Sequence, residues 1–166
     1  LILAKSLSEG KGYRNINMPS SPPETSYPPL FPLILSPLVK LFGFSPLPAK
    51  ILVTILGLST FWIFRKIFPP THVFLYLIPW VIILNPLILE YSGVILSEIP
   101  YLLFSLLCIY WVKRNNWNIA IVFLILSLFT RLIGISLLCA FVIYGAWKKK
   151  LTPLQWIIRI LLLSLW

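Results

Sequence analysis

The sequence predicts an all-α protein that crosses a membrane several times. Of its 166 residues, 59% are hydrophobic and only 11% are charged, with a mean hydropathy of +0.94. A soluble domain of this length needs a more polar surface. Basic groups at the ends of long apolar runs are typical of the cytoplasmic ends of membrane-spanning helices. Three such groups occur here: Arg65-Lys66, Lys113-Arg114 and Lys148-Lys149-Lys150.

The first 46 residues are predicted to form an extracytoplasmic loop with an interfacial helix. Residues 1–9 suit a short helix, and the glycines and prolines of residues 10–29 predict an irregular but ordered loop. Residues 30–42 are apolar, but they are too few to cross a bilayer, which takes about 20 residues. They also contain Pro32 and Pro37. A helix that lies in the membrane interface or re-enters it fits this segment.

Residues 47–166 are predicted to form a transmembrane helical bundle. Several of the apolar runs are shorter than a comfortable span, which predicts a thinned bilayer or a water-filled cavity beside them. The chain begins with Leu1 and stops at Trp166 within an apolar run, so we expect a fragment truncated at both ends. The predicted helical runs are 47–66, 73–89, 94–112, 117–130, 132–147 and 154–166.

The charge distribution predicts a multi-pass orientation and a site outside the cytoplasm. If the three basic groups face the cytoplasm, then residues 1–46, residues 90–98 and Arg131 lie on the opposite side, provided that residues 30–42 do not span. Every carboxylate of the chain then lies on that extracytoplasmic face. The sequence contains no Asp, and its four carboxylates are Glu9, Glu24, Glu90 and Glu98.

Several other classes of site and partner are not expected. The net charge of +10 is divided among helix ends and forms no continuous basic face, which argues against a nucleic-acid partner. The single histidine, His72, has no cysteine or acidic residue at ligand spacing, which argues against a zinc site. Participation of a divalent cation stays open but has no support, because four scattered glutamates do not define a metal cage. No phosphate-binding loop or dinucleotide fingerprint occurs, so no cofactor is identified.

Three stretches in order carry a resemblance to a known family. They are LAKSLSEGKGY (3–13) continued by YPPLFPL (27–33), then EYSGVILSEIPY (90–101), then TRLIG (130–134). In this order and spacing they resemble the membrane glycosyltransferases of the GT-C fold. The nearest members are the protein O-mannosyltransferases and the bacterial transferases that add aminoarabinose or other sugars to lipid A and cell-envelope glycans. The resemblance covers most of the chain.

The resemblance implies a GT-C-like fold and a glycosyltransferase activity. Such an enzyme takes a sugar from a polyprenyl-phosphate donor in the lipid bilayer and passes it to a protein, lipid or glycan acceptor outside the cytoplasm. In the family a catalytic acid, usually Asp, lies a few residues before the A-x-x-L motif, which begins here at Ala4. The resemblance therefore implies that the main general base lies before Leu1, that Glu9 does not replace it, and that the fragment alone is inactive.

Glu98 is the candidate catalytic residue within the chain. A carboxylate costs about 2.5–3.5 kcal/mol at a bilayer centre and less near the interface, so acids inside apolar runs often serve a function. The family carries an acidic residue at the matching S-E/D-x-P position, which implies that Glu98 lines the sugar-binding cavity. A solvated residue at the mouth of 99–112 is the structural alternative. Glu90 is a candidate substrate-binding residue, with a position in the headgroup zone as its alternative.

Arg131, Glu24 and Tyr27 are the other candidate substrate-binding residues. A guanidinium binds phosphate oxygens bidentately and stays charged, so Arg131 could clamp a lipid phosphate; a snorkelling residue in a tight turn is the alternative. Some relatives carry an acid just before the paired prolines, whereas here Thr25 and Ser26 separate Glu24 from that position. Tyr27 suits an interfacial anchor equally well.

Two other function classes stay open on the sequence alone. A transporter or lipid flippase without glycosyl transfer would share broken helices and an acid such as Glu98, although such folds commonly contain repeated halves, and no convincing repeat is present. A non-catalytic membrane subunit, whose acids merely face water, is the third class.

Overall fold

The protein is all-helical in the residues that the computed structural model describes, which are 1–68 and 95–148. No β-strand occurs in these two ranges, so the all-α prediction is confirmed there. The predicted runs 73–89 and 154–166 and the candidate Glu90 lie outside them. The described helices are α1 (Ile2–Ser8), α2 (Leu30–Phe42), α3 (Pro46–Ile67), α4 (Glu98–Lys113), α5 (Trp117–Thr130) and α6 (Gly134–Trp147).

The loop between α1 and α2 is irregular but held by specific hydrogen bonds. Ser6, which is fully buried, donates its hydroxyl to the carbonyl of Gly12 at 2.9 Å. Gly10 and Gly12 have φ of 70° and 78°, a left-handed conformation that glycine adopts without steric cost. Further along, a single antiparallel bridge joins Arg14 to Pro23. The loop therefore folds back on itself; it is irregular but ordered, as the sequence predicted, whereas the fold-back itself was not predicted.

Helix α2 continues through Pro37 without a break. Proline lacks the N–H that would bond to the carbonyl four residues earlier, which here belongs to Leu33. The hydroxyl of Ser36 donates to that carbonyl at 3.0 Å and replaces the missing bond. The buried face of α2 carries Phe31, Leu35 and Val39, at the spacing of one helical stripe.

Helix α3 is the one described helix that is long and apolar enough to cross a membrane. It begins after Ser45, whose hydroxyl accepts from Leu47 N at 3.4 Å, and Pro46 occupies the first helical position, where its missing N–H has no intrahelical partner. Its 22 residues extend about 33 Å. Only 17% of its most apolar stretch is buried, so α3 is not the enclosed core helix of a compact domain.

Helix α4 begins at Glu98, four residues after the start of the apolar run 94–112. Pro100 falls in the first turn of the helix, where an N–H would have no intrahelical acceptor, so the proline is tolerated there. Helices α4, α5 and α6 have 16, 14 and 14 residues, which corresponds to lengths of about 21–24 Å. The prediction of several short apolar helices is confirmed for α5 and α6.

Helices α4, α5 and α6 form two consecutive antiparallel hairpins. Asn115 has a φ of 59° in the turn between α4 and α5, and the Asn116 side chain accepts from Ile119 N at 3.4 Å and so caps α5. At the same end, the ring of Trp117 lies 5.7 Å from that of Phe141 and 6.1 Å from that of Tyr144, so α5 begins beside the last turns of α6. The core between these helices consists of Cys108, Ala120, Ile121, Leu124 and Phe141.

Helices α3 and α4 run parallel, and this arrangement gives the molecule two chemically different ends. Gly57 lies against Ile99 near the beginning of α4, and the Lys113 ammonium donates to the carbonyl of Ile67 at 2.7 Å where both helices end. Arg65-Lys66 and Lys113-Arg114 therefore meet at one end, called here the basic end. Glu98 and Arg131 lie at the other, called here the pair end.

Candidate functional site

Glu98 and Arg131 form an ion pair at the pair end. Oε1 of Glu98 contacts Nη1 of Arg131, and the two side chains are 51% and 35% exposed, so both remain accessible to solvent or to a substrate. Glu98 is the first residue of α4, where the positive end of the helix dipole favours a carboxylate. Arg131 immediately follows α5, where the negative end favours a cation. The two charges therefore complement each other and the helices that carry them.

The turn between α5 and α6 fixes the position of Arg131. Arg131 has extended backbone (φ −150°, ψ 143°) and its carbonyl accepts from Gly134 N at 3.0 Å. A Cβ on Gly134 would lie 2.9 Å from the backbone Cα of Leu128, closer than atoms approach in proteins. Only glycine allows α6 to start so close to α5, and this close approach keeps the turn tight. Thr130, which is buried, donates its hydroxyl to Leu126 O at 2.6 Å and anchors the helix end.

The N-terminal helices pack at the pair end of the molecule. Ala4 of α1 and Leu35 of α2 share a buried cluster with Ala49, in the first turns of α3, and Ile95 packs against that cluster. Ile95 lies three residues before Glu98. The loop between α1 and α2 is thus carried on the same end of the bundle as the ion pair.

Glu24 and Tyr27 make local contacts within that loop. A carboxylate oxygen of Glu24 accepts from Ser26 N at 2.8 Å, which closes a small turn. The Tyr27 side chain is 67% exposed, and its carbonyl accepts from the Tyr13 hydroxyl at 2.8 Å. Burial and, secondarily, the charge of Glu24 raise the pKa of Tyr13. In the described part of the chain, no hydrogen bond or ion pair joins Glu24 or Tyr27 to the Glu98–Arg131 pair.

Glu9 is engaged by two lysines beside it. Lys11 approaches its carboxylate to 2.6 Å and Lys5, one helical turn earlier, to 3.8 Å. The hydrogen bond from Lys11 is the main cause that lowers the pKa of Glu9 below its usual value. These contacts tie the end of α1 to the glycine turn after it, which is a structural role. They also occupy Lys5 and Lys11, so neither ammonium lies at the Glu98–Arg131 pair.

No protein-family model, curated protein or solved structure shows significant similarity to this chain.

The side chains of Glu98 and Arg131 determine what the pair end can do chemically. It offers one carboxylate that accepts hydrogen bonds and one guanidinium that binds oxyanions, both at least a third exposed. Among residues 1–68 and 95–148, no group of three or more His, Cys, Asp or Glu side chains could hold a metal ion.

The sequence predicted that Glu98 and Arg131 share one extracytoplasmic site, but it did not predict their direct contact. A signal for it exists in the charge pattern. Glu98 begins α4 and Arg131 follows α5, so both charges lie at the open end of the α4–α5 hairpin. Lys113-Arg114 lie at its closed end, where the turn is. Opposite charges at the open end of an antiparallel hairpin lie next to each other when the two helices have similar lengths.

Proposed function

We propose that this chain is part of a multi-pass membrane glycosyltransferase of GT-C-like fold, with its active site on the extracytoplasmic side. It would transfer a sugar from a polyprenyl-phosphate donor to a protein, lipid or glycan acceptor. The observation that supports the proposal most is the accessible Glu98–Arg131 pair, held at the end of the bundle away from Arg65-Lys66 and Lys113-Arg114. A carboxylate can accept hydrogen bonds from sugar hydroxyls and a guanidinium can bind phosphate oxygens, so the pair suits a sugar attached to a phosphate.

The membrane location is supported by the apolar surface that the helices leave uncovered. Leu58 and Trp62 on α3 and Ile143 on α6 are all more than half exposed. Apolar surface of this extent on several helices is costly in water and favourable in lipid. The donor's polyprenyl tail would remain in the same bilayer, which brings its phosphate to the helix ends.

In the proposed reaction, donor binding replaces the contact between the two side chains. The Arg131 guanidinium turns to the phosphate oxygens of the donor, and Glu98 accepts hydrogen bonds from hydroxyl groups of the sugar or the acceptor. The acceptor oxygen then bonds to the anomeric carbon while the bond from that carbon to the lipid-phosphate oxygen breaks. The electron pair leaves with the phosphate, whose charge Arg131 stabilises. The proton of the acceptor hydroxyl passes to a carboxylate that the family resemblance implies before Leu1.

The test is sugar transfer by the full-length protein in membranes, with a panel of labelled polyprenyl-phosphate sugars. Glu98→Ala and Arg131→Ala should each lower transfer about a hundredfold or more, because each removes a group that contacts the reacting substrate. Membrane insertion, followed by protease protection, should be unchanged. Transfer at the wild-type rate in both correctly inserted variants would contradict the proposal.

A charge-reversed double variant separates a catalytic role from a structural one. Glu98→Arg combined with Arg131→Glu restores an ion pair between α4 and α5 but exchanges the positions of the two charges. If the pair only holds the helices together, the double variant recovers both stability and transfer. We expect thermal stability to recover only in part, because the exchanged charges oppose the dipoles of α4 and α5, and we expect no recovery of transfer. Recovery of transfer together with stability would contradict the assignment of the site.

A further inference from the structure

The basic end of the bundle contains a shallow cavity of about 230 Å³. It lies where α3 and α4 end together, at the opposite end of the molecule from Glu98. Its lining is formed by residues of these two helix ends and of the turn that follows α4, namely Lys66, Ile67, Tyr110, Lys113 and Arg114.

The three cations of this cavity are held in place by neighbouring groups. The Lys113 ammonium donates to the carbonyl of Ile67 at 2.7 Å, which uses one of its three protons. The Lys66 ammonium lies 3.5 Å from the centre of the Trp62 ring. The Arg114 guanidinium lies 5.3 Å from the centre of the Tyr110 ring. These contacts restrict the long side chains before any ligand binds, so less side-chain entropy remains to be lost on binding.

Among the residues that the structure describes, the positive charge at this cavity exceeds what its surroundings neutralise. The sequence has no Asp or Glu between residues 25 and 89 or after residue 98, so no nearby segment of either helix supplies a carboxylate. The C-terminal ends of α3 and α4 contribute about half a negative charge each. The two partial negative charges do not balance the three full positive charges of Lys66, Lys113 and Arg114. The net charge at the cavity is therefore positive, which favours an anionic ligand.

The position of the cavity along α3 suggests the source of that anion. Helix α3 can cross a membrane, and the cavity lies at its last turn. Trp62 and Phe68, both exposed, lie beside the cavity's lysines, and aromatic side chains of this kind mark the level of lipid headgroups. Basic pockets between helices at this level are suited to anionic headgroups.

We propose that Lys66, Lys113 and Arg114 bind the phosphate of an anionic membrane lipid at the basic end of the α3–α4 pair. The phosphate oxygens accept hydrogen bonds from the two ammonium groups and the guanidinium, and the acyl chains lie along the exposed apolar side of α3. The inference rests on the membrane location of α3 and does not depend on sugar transfer. Sugar-transfer assays and lipid-binding assays can therefore fail independently.

The test is native mass spectrometry of the full-length protein in non-ionic detergent, titrated with phosphatidylglycerol or with phosphatidylcholine of the same acyl chains. The wild-type protein should bind phosphatidylglycerol preferentially. Lys66→Gln combined with Arg114→Gln should lower its apparent affinity at least about tenfold, because each cation near a lipid phosphate contributes to binding. Lys113 is left in place in this variant because its bond to Ile67 supports the fold.

The matched control removes the same charge elsewhere. Lys40→Gln combined with Lys50→Gln neutralises two exposed lysines on α2 and α3 near the pair end, and it should retain the preference. Equal binding by the Lys66/Arg114 variant and the wild type, or an equal loss in the control, would overturn the proposal. Inorganic phosphate is the third titrant: displacement of the lipid by equimolar phosphate would show a site for soluble anions and would equally overturn it.

Discussion

At the scale of single residues, each described carboxylate has a different partner and therefore a different role. Glu9 is held by Lys11 and Lys5, Glu24 closes a turn onto Ser26 N, and Glu98 pairs with Arg131. The sequence set Glu9 apart from the catalytic candidates on the motif spacing alone, because the distances to its lysines depend on the glycine turn. It could not show that Arg131 contacts Glu98, since the pairing depends on how α4 and α5 are matched in length.

The Glu9 cluster predicts a pH-dependent contribution to stability. The pKa of Glu9 is lowered in the folded protein from the usual 4.5, mainly by the bond from Lys11. The stabilisation is therefore present above pH 4.5 and is lost as the pH falls through the lower, folded-state value. Wild type should unfold at a higher temperature than Glu9→Gln at pH 7, and the difference should shrink at pH 3. Thermal denaturation in detergent measures both melting temperatures. An equally large difference between wild type and Glu9→Gln at pH 3 and pH 7 would contradict this role.

At the scale of elements, the apolar runs within residues 1–68 and 95–148 predicted the helices there to within a few residues, and local chemistry set the helix ends. Helix α3 begins at the Ser45-Pro46 cap, one residue before its predicted start, and α4 begins late because Pro100 fits only its first turn. The passage of α2 through Pro37 depends on the Ser36 hydroxyl, which composition does not reveal. The tight turn at Gly134 likewise depends on a close approach between two helices that are adjacent in sequence.

The close packing around Gly134 predicts that a larger side chain there destabilises the protein, and Gly57 provides the matched control. Gly134→Ala places a methyl group 2.9 Å from the Leu128 backbone, which cannot move aside as a side chain can, so we expect a loss of about 1–3 kcal/mol and a displaced Arg131. Gly57→Ala meets only the end of Ile99 at 3.8 Å and should be neutral or stabilising by up to about 1 kcal/mol. The melting temperatures of the two variants in detergent decide this, and equal melting temperatures would contradict it.

At the scale of the whole molecule, the helices separate two kinds of charge. The Glu98–Arg131 pair lies at one end, and the cations of Lys66, Lys113 and Arg114 surround a cavity at the other. The sequence predicted this separation from the alternation of apolar runs, because each run was expected to carry the chain from one membrane face to the other. It could not predict that α3 and α4 end side by side, which is what brings Lys66, Lys113 and Arg114 to one cavity.

The most direct measurement of the central claim is the sidedness of the two ends in a living membrane. Leu132→Cys places a thiol in the exposed turn beside Arg131. Lys148→Cys places a thiol just after the end of α6, whose last turn packs against Trp117. The exposed Cys139 is replaced by Ala in both variants. A membrane-impermeant maleimide should label the cysteine at 132 in intact cells that express the full-length protein, and the cysteine at 148 only after permeabilisation. Labelling of both positions from the same side, or the reverse order, would contradict the account.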